Sequence, residues 1–424
     1  MPLRLLWIGA LAATPVLTLW LIARHGVNVP LADDWSLVPL FEKRDAGTLT
    51  LGDLLAQHHE HVPVVPRAAD LFMAPLTDWN LRVEMFRNFG VAVVTFGVIL
   101  LALRRALAGA AFVLGSLVAS LLFFSPAQWE NWLWGWQLEW FLSNLGAMVA
   151  FYALAYVVDG RPRGGLALAA LGALVATFSL GQGLLVWPVG LVILLLRRRP
   201  WRAWAGIGTL TYVVYFVDWE NPADLGDKTS FLDRPRDSLD FLLLYLGRAL
   251  GGSDATGRIA AVVVLAAFAA AALTVLRRRD PDLLQRAAVW LALGLYAIGS
   301  AVITVVARVD QHYFTSRYTV MTALFAIATM TLLYVAAPRV RPAVLAAVAV
   351  PLLVGGVVNA RDGADGLRTR AAAHEAFAKC LRENASPYDP CARPASLNPR
   401  VLRGELVRFW PRVAYLRRKG WAGF

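Results

Sequence analysis

Residues 86–124 read FRNFGVAVVTFGVILLAL, then Arg104-Arg105, then ALAGAAFVLGSLVASLLFF. Each apolar run is close to the length needed to cross a hydrocarbon core of about 30 Å. Only a basic pair separates them, which is the signature of two membrane helices joined by a tight connection. The pattern recurs along the chain. About eleven apolar stretches lie near 3–24, 86–103, 106–124, 138–158, 165–179, 183–196, 203–217, 257–276, 287–306, 318–336 and 342–359. Hydrophobic residues make up 58% of the 424 residues, more than a water-soluble domain carries. The expected fold class is therefore an all-α polytopic membrane protein, with 1–359 as its membrane domain. The opening Met1-Pro2-Leu3-Arg4 resembles a signal peptide. No small-residue cleavage site follows, so it reads as a retained first helix. The fifth and sixth stretches are short and meet at Ser179-Leu180-Gly181-Gln182-Gly183, either a tight hairpin or broken helices beside a cavity.

A net charge of +12 first suggests nucleic acid. The location of the arginines removes that reading. Alternate connections carry Arg104-Arg105, Arg161 and Arg163, Arg197 to Arg199 with Arg202, Arg277 to Arg279 with Arg286, and Arg339 with Arg341. The other connections are the acidic loop 25–85, the loop 125–137 without Lys or Arg, and the acidic loop 218–256. Arg-rich connections stay cytoplasmic. The expected location is the cytoplasmic (inner) membrane, with the N-terminus inside and the tail 360–424 on the periplasmic or extracellular side. Cys380 and Cys391 are the only cysteines, and in an oxidising compartment they are expected to form a disulfide. Segments 366–381 and 398–409 look amphipathic, suited to lying on anionic headgroups.

The chemistry-bearing residues fall on the outer connections. Loop 25–85 is too long to be a mere link. It holds the acidic pair Asp33-Asp34, a helix expected near 50–58, the cluster His58-His59-Glu60-His61, and then Arg67. His and carboxylate together move protons or bind a divalent metal. Asp34 and His58 are the metal candidates, with Mg or Mn as the ion. Asp33, Asp34, Glu60 and His61 are the catalytic candidates, set against the plainer reading of a solvated turn at the membrane surface. Loop 125–137 interleaves Trp129, Trp132, Trp134 and Trp136 with Gln128, Glu130, Asn131 and Gln137. An interfacial aromatic belt explains the tryptophans. Indoles stacking on sugar faces, with amides and carboxylates bonding hydroxyls, explain the whole set. Arg308, His312, Arg317 and Tyr318 suit a lipid phosphate, because guanidinium is its natural bidentate partner. Arginines at a membrane boundary also merely snorkel. Loop 218–256 shows no metal spacing and reads as a lid or scaffold with a surface helix over 238–250. No Gly-rich phosphate loop, nucleophile elbow or zinc motif is present.

This pattern resembles the GT-C superfamily of integral-membrane glycosyltransferases, in a bacterial branch. The likeness rests on Asp33-Asp34 close behind the first helix, on Gln57-His58-His59-Glu60-His61, on Gln128 to Gln137 and on Ser316-Arg317-Tyr318, and by organisation covers about residues 1–340. The resemblance implies a polyprenyl-phosphate-linked sugar donor and chemistry on the outer membrane face. It gives the first-loop acid, Asp33 or Asp34, the role of base or metal ligand, and Arg317 that of meeting the phosphate. A large soluble C-terminal domain is lacking, which favours a glycan, lipid or small acceptor over peptide. The competing classes are a transporter or flippase of lipid-linked glycans and a membrane acyltransferase. A transporter needs polar residues deep within its spans, whereas here the ionisable residues sit mostly at span ends.

Overall fold

A computed structural model describes residues 2–220, 233–308, 315–337, 341–383 and 405–424. Those residues are helical almost throughout. The chain enters through α1 (Pro2–His25) and then builds the first loop from α2 (Val38–Asp45), α3 (Leu51–Leu55) and α4 (Val64–Thr77). The hairpin of α5 (Leu81–Ala106) and α6 (Gly109–Phe123) follows, then the single turn α7 (Trp129–Trp132) and α8 (Leu138–Tyr152). A π-helical turn leads from α8 into α9 (Val158–Gly160). The remaining helices are α10 (Pro162–Thr177), α11 (Val186–Leu196), α12 (Arg202–Tyr215), α13 (Pro235–Gly251), α14 (Asp254–Arg278), α15 (Pro281–Arg308), α16 (Thr319–Ala336), α17 (Arg341–Glu383) and α18 (Glu405–Lys419).

Among the described residues, seven helices are long and apolar enough to cross a bilayer: Leu5–His25, Leu81–Ala106, Gly109–Trp132, Gly135–Gly160, Asp254–Arg278, Pro281–Arg308 and Ser316–Ala336. The chain is a multi-pass membrane protein. The expected spans near 165–179 and 183–196 are the shorter helices α10 and α11, joined by a tight 3-10 turn at Gly181–Leu185. That near 203–217 is the 14-residue α12. The stretch 342–359 and the amphipathic 366–381 turn out to be one helix, α17, 43 residues and therefore about 64 Å long.

Local sequence explains several helix ends. Asn80 Oδ1 accepts from the Arg82 N–H at 3.0 Å to open α5, and Ser253 Oγ accepts from the Thr256 N–H at 3.3 Å to open α14. Arg104-Arg105 and Arg277-Arg278 close the same two helices, where cations complement the carbonyl end of the dipole. In lipid, helices associate through close backbone approach at small residues. Gly146 of α8 lies so near Gly172 of α10 that a Cβ there would overlap its carbonyl, and Gly247 meets Gly257 across α13 and α14 in the same way. α16 is buried over most of its length at the centre, whereas α1 and α14 turn most of their apolar surface outward.

Contacts between connections separate the two ends of the bundle. At one end Arg197 and Arg199 both pair with Asp159, at 2.6 and 2.9 Å, Gln285 also bonds Asp159 at 2.9 Å, and Arg105 lies over Tyr156. At the other end the first loop gathers the remaining connections. The Val65 N–H donates to the Phe178 carbonyl at 2.9 Å, Gln57 exchanges hydrogen bonds with Glu220, and Glu60 pairs with Arg308 at 2.5 Å.

One expectation about a surface helix changes. The helix placed over 238–250 is α13, and one face of it, including Phe241, Tyr245 and Leu246, is buried against α14 and α16. The C-terminal helix packs on protein as well. Val413 and Leu416 of α18 are buried, Tyr415 donates to Asp45 at 2.7 Å, and Arg412 donates to the Trp35 carbonyl at 2.9 Å. Most of the amphipathic segment expected at 398–409 lies outside the described residues. Cys380 is engaged in a disulfide and no described cysteine is free; Cys391 lies outside the described residues.

Candidate functional site

The neighbouring acids behind α1 face different surroundings. Asp34 is buried (1% exposed). One oxygen accepts the Leu31 N–H at 2.9 Å and the other accepts the Trp136 N–H at 3.1 Å. Trp134 Nε1 donates back to the Leu31 carbonyl at 3.0 Å. Asp34 therefore stitches the first loop to the tryptophan loop, and burial holds its carboxyl well above the usual range, with Asp70 and Asp33 adding to the effect. Asp33 keeps a third of its side-chain surface open (34%). Its Oδ1 lies 3.9 Å from His58 Nε2 and 4.0 Å from His59 Nε2. Burial raises its carboxyl, while His59, Arg317 and Arg308 pull the other way.

A tight turn positions the histidines. The His58 N–H donates to the His61 carbonyl at 2.8 Å and the His61 N–H returns the bond at 3.0 Å. His59 takes φ +48 and Ala32, just before Asp33, takes φ +45, so each side of the cluster has a side-chain-bearing residue in the left-handed region. The His58 ring packs against Trp136 with centroids 4.7 Å apart. Burial, with His59 and His61 beside it, drives the His58 pKa to about 2, and burial brings His61 to about 4. Both imidazoles are neutral at physiological pH, the state a metal ligand requires. Burial opposes ionisation of Glu60, yet His61 and Arg308 outweigh it and hold the carboxylate at about 2.

Asp33, His58 and His59 each offer one donor atom, all within 4.8 Å of one another. Modest closure of that triangle would surround a divalent ion. The metal expectation named Asp34 with His58, but the carboxylate that meets the imidazoles is Asp33, because both Asp34 oxygens are taken by backbone N–H groups. Two nitrogens and one carboxylate suit Mn or Zn better than Mg, which prefers oxygen.

Three of the polar residues of the tryptophan loop, Gln128, Glu130 and Asn131, bond to protein. Glu130 accepts from Ser316 Oγ at 2.9 Å and from the Arg317 N–H at 3.1 Å. Asn131 Nδ2 reaches both Gln128 Oε1, at 2.9 Å, and the Arg317 carbonyl, at 3.0 Å. Gln128 itself donates to the Phe123 carbonyl at 2.5 Å. Together they clamp the backbone of Arg317 from both sides. Its guanidinium sits over Trp134 at 5.9 Å and over Tyr318 at 5.6 Å. Trp132, Trp134 and Trp136 are buried, and Gln137 is buried beside them, so these rings form neither an exposed belt nor an open stacking platform. Trp129 is half-buried under Arg370, whose guanidinium is 5.5 Å from its ring. Arg67 donates to the Leu54 and Ala56 carbonyls and fixes the loop. Arg308 is paired with Glu60. Tyr318 stacks on Tyr245 at 4.9 Å. His312 lies outside the described residues.

The structure thus brings together Asp33, His58, Glu60, His61, Arg308 and Arg317, and assigns Asp34, Gln128, Glu130, Asn131 and Arg67 to holding them. It also adds Glu139, which the sequence reading passed over as part of an apolar span. Asp33, Arg317 and Glu60 are the charges that share its surroundings. The available signal was an acid one turn inside a membrane helix, rarely present without a purpose. Gly181 and Tyr215 were likewise missed: a Cβ on Gly181 would lie 3.4 Å from His61 Nδ1 and 3.6 Å from the Tyr215 hydroxyl. No family model, no curated protein and no solved structure matches the chain.

Proposed function

We propose that this protein is a membrane glycosyltransferase. It moves a sugar from a polyprenyl-phosphate carrier to a cell-envelope glycan, lipid or other acceptor at the outer face of the cytoplasmic membrane. The observation that carries the reading is the meeting of a reachable carboxylate, two imidazoles and a backbone-clamped arginine at the bundle end opposite the arginine-rich connections. The positive-inside rule turns that end outward. A carrier lipid then presents its phosphate from the bilayer to Arg317, which stabilises the leaving group as negative charge develops. Asp33 orients the sugar or the acceptor. With His58 and His59 it would also hold a divalent ion, which supplies further charge for the phosphate. The buried tryptophans exclude water, so the donor is not lost to hydrolysis.

The test is transfer by the purified protein in lipid discs, given labelled polyprenyl-phosphate sugars and envelope acceptors. Wild type should form a labelled product and Arg317→Ala should lose at least ~100-fold of that rate, the scale of removing one electrostatic stabiliser. A wild type inert toward every donor sinks the proposal.

One observation favours a second reading, a flippase of the same lipid. Ser143 bonds Tyr296 at 3.1 Å and Tyr245 bonds Ser300 at 2.8 Å inside the bundle, near a buried Asn144 whose amide atoms have no partner. Polar groups at membrane depth can mark a pathway. Movement of labelled lipid across sealed vesicles without product formation would select it.

A further inference from the structure

We propose that Glu139 is the general base of the transfer reaction; the assignment rests on the glycosyltransferase reading above. The other carboxylates of the site have other roles. Asp34 gives one oxygen to each of two backbone N–H groups. Asp33 is shared between two imidazoles. Glu60 is ion-paired with Arg308. Glu130 holds Ser316 and the Arg317 N–H. Among the described residues, Glu139 differs in forming no ion pair and no bond to a backbone N–H; Glu60 shares the unpartnered Oε2, but its other oxygen is neutralised by Arg308. It stands on the first turn of α8, is 6% exposed, and lies beside the Trp136 side chain. Its Oε2 is buried with no hydrogen-bond partner.

A buried polar atom left unpaired is unfavourable in a dry interior, and calls for an explanation in function or an absent partner. Here the missing partner fits an incoming hydroxyl. Asp33, Glu60 and Arg317 are the charges around Glu139, Arg67 feels its charge, and Tyr215 lies in the same surroundings. Oε2 is thus the unpartnered oxygen of a carboxyl whose neighbouring charges are those of the site.

In the step assigned to it, the acceptor oxygen bonds to the anomeric carbon as its proton passes to Glu139 Oε2. The bond from the anomeric carbon to the phosphate oxygen breaks, and its electron pair leaves on the polyprenyl phosphate beside Arg317. Glu139 then releases the proton to solvent, so atoms and charge balance. General-base assistance of this kind is worth about 10²–10⁴-fold in rate.

Transfer kinetics across pH test the assignment, with wild type, Glu139→Gln and Glu139→Asp in lipid discs. Glu139→Gln should lower kcat at least ~100-fold, with the donor KM within about threefold and the thermal midpoint unchanged. Glu139→Asp should keep partial rate and an acidic limb in its pH profile. A Gln variant with wild-type kcat, or one whose remaining rate keeps the wild-type acidic limb, overturns the assignment while leaving the transferase reading intact. Absence of transfer by wild type overturns the transferase reading itself.

Discussion

Asp33 and Asp34 are chemically identical neighbours with different physical roles. Asp34→Asn replaces a two-oxygen acceptor by one oxygen and one amine, so an amine donor meets one of the two backbone N–H groups. A buried bond lost in this way costs about 1–3 kcal/mol. The variant should therefore melt lower than wild type, as read by dye or tryptophan fluorescence in detergent. Asp33→Asn leaves those bonds alone, so its midpoint should match wild type while transfer falls at least ~100-fold, given its place among the substrate-facing groups. The reverse outcome, a normal Asp34→Asn and an unfolded Asp33→Asn, would contradict the assignment. The metal prediction is also a residue-scale claim. Chelator-treated protein should gain thermal stability on adding Mn²⁺ or Zn²⁺, by mass action on the folded state. His58→Ala should abolish the gain; an equal gain in that variant would place the ion elsewhere.

At the scale of elements, the joint that matters is α17 against the rest. Gly363 lies so close to Ala127 that a Cβ would overlap its backbone, and Gly366 faces the Trp129 indole at 3.0 Å from a built Cβ. The helix then runs on past the tryptophan loop and buries His374 (4% exposed). Burial first, and then Arg370 and Arg382, lower the His374 pKa from 6.5 to about 4, against the Val29 carbonyl, which accepts from the imidazole and raises it. The sign follows from linkage. Between pH 6.5 and 4 the unfolded chain binds a proton that the folded chain refuses, so stability falls as pH falls through that window. Thermal melts at pH 7.5 and 5 should show the decline, and His374→Gln should make it shallower, leaving the part that His58 and His61 contribute in the same window. An unchanged slope in the variant would mean that this imidazole does not resist protonation in the fold. α18 adds a second clasp on the first loop through Asp45, which Lys419 meets at 2.6 Å.

At the scale of the whole molecule, the two ends differ in charge, and this makes topology testable. Single cysteines at Arg198 and at Thr48, both exposed, in a background with Cys380 and Cys391 replaced, should react with an impermeant maleimide from opposite sides. Thr48→Cys should react in intact cells and Arg198→Cys only after lysis. Labelling of both from one side would dismiss the orientation on which an outer-face reaction depends.

The membrane character, the first hairpin and the separation of Arg-rich from acidic connections were legible because they depend on local composition and length alone. α5 and α6 needed only their apolar runs and Arg104-Arg105 to be read. The continuous α17 was not legible, since Asn359, Arg361 and Asp362 break the apolar run without breaking the helix. Nor were the roles of Asp34, Glu130 and Asn131. Their side chains bond partners 102 and 186 or 187 residues away, and partner choice at that separation is set by tertiary packing. Residue order therefore determined that this is a multi-pass helical protein whose acidic and histidine-bearing loops alternate with its arginine-rich connections. Only the folded bundle decided which carboxylate stays reachable, because burial and backbone N–H groups satisfy Asp34 and leave Asp33 partly open beside the imidazoles.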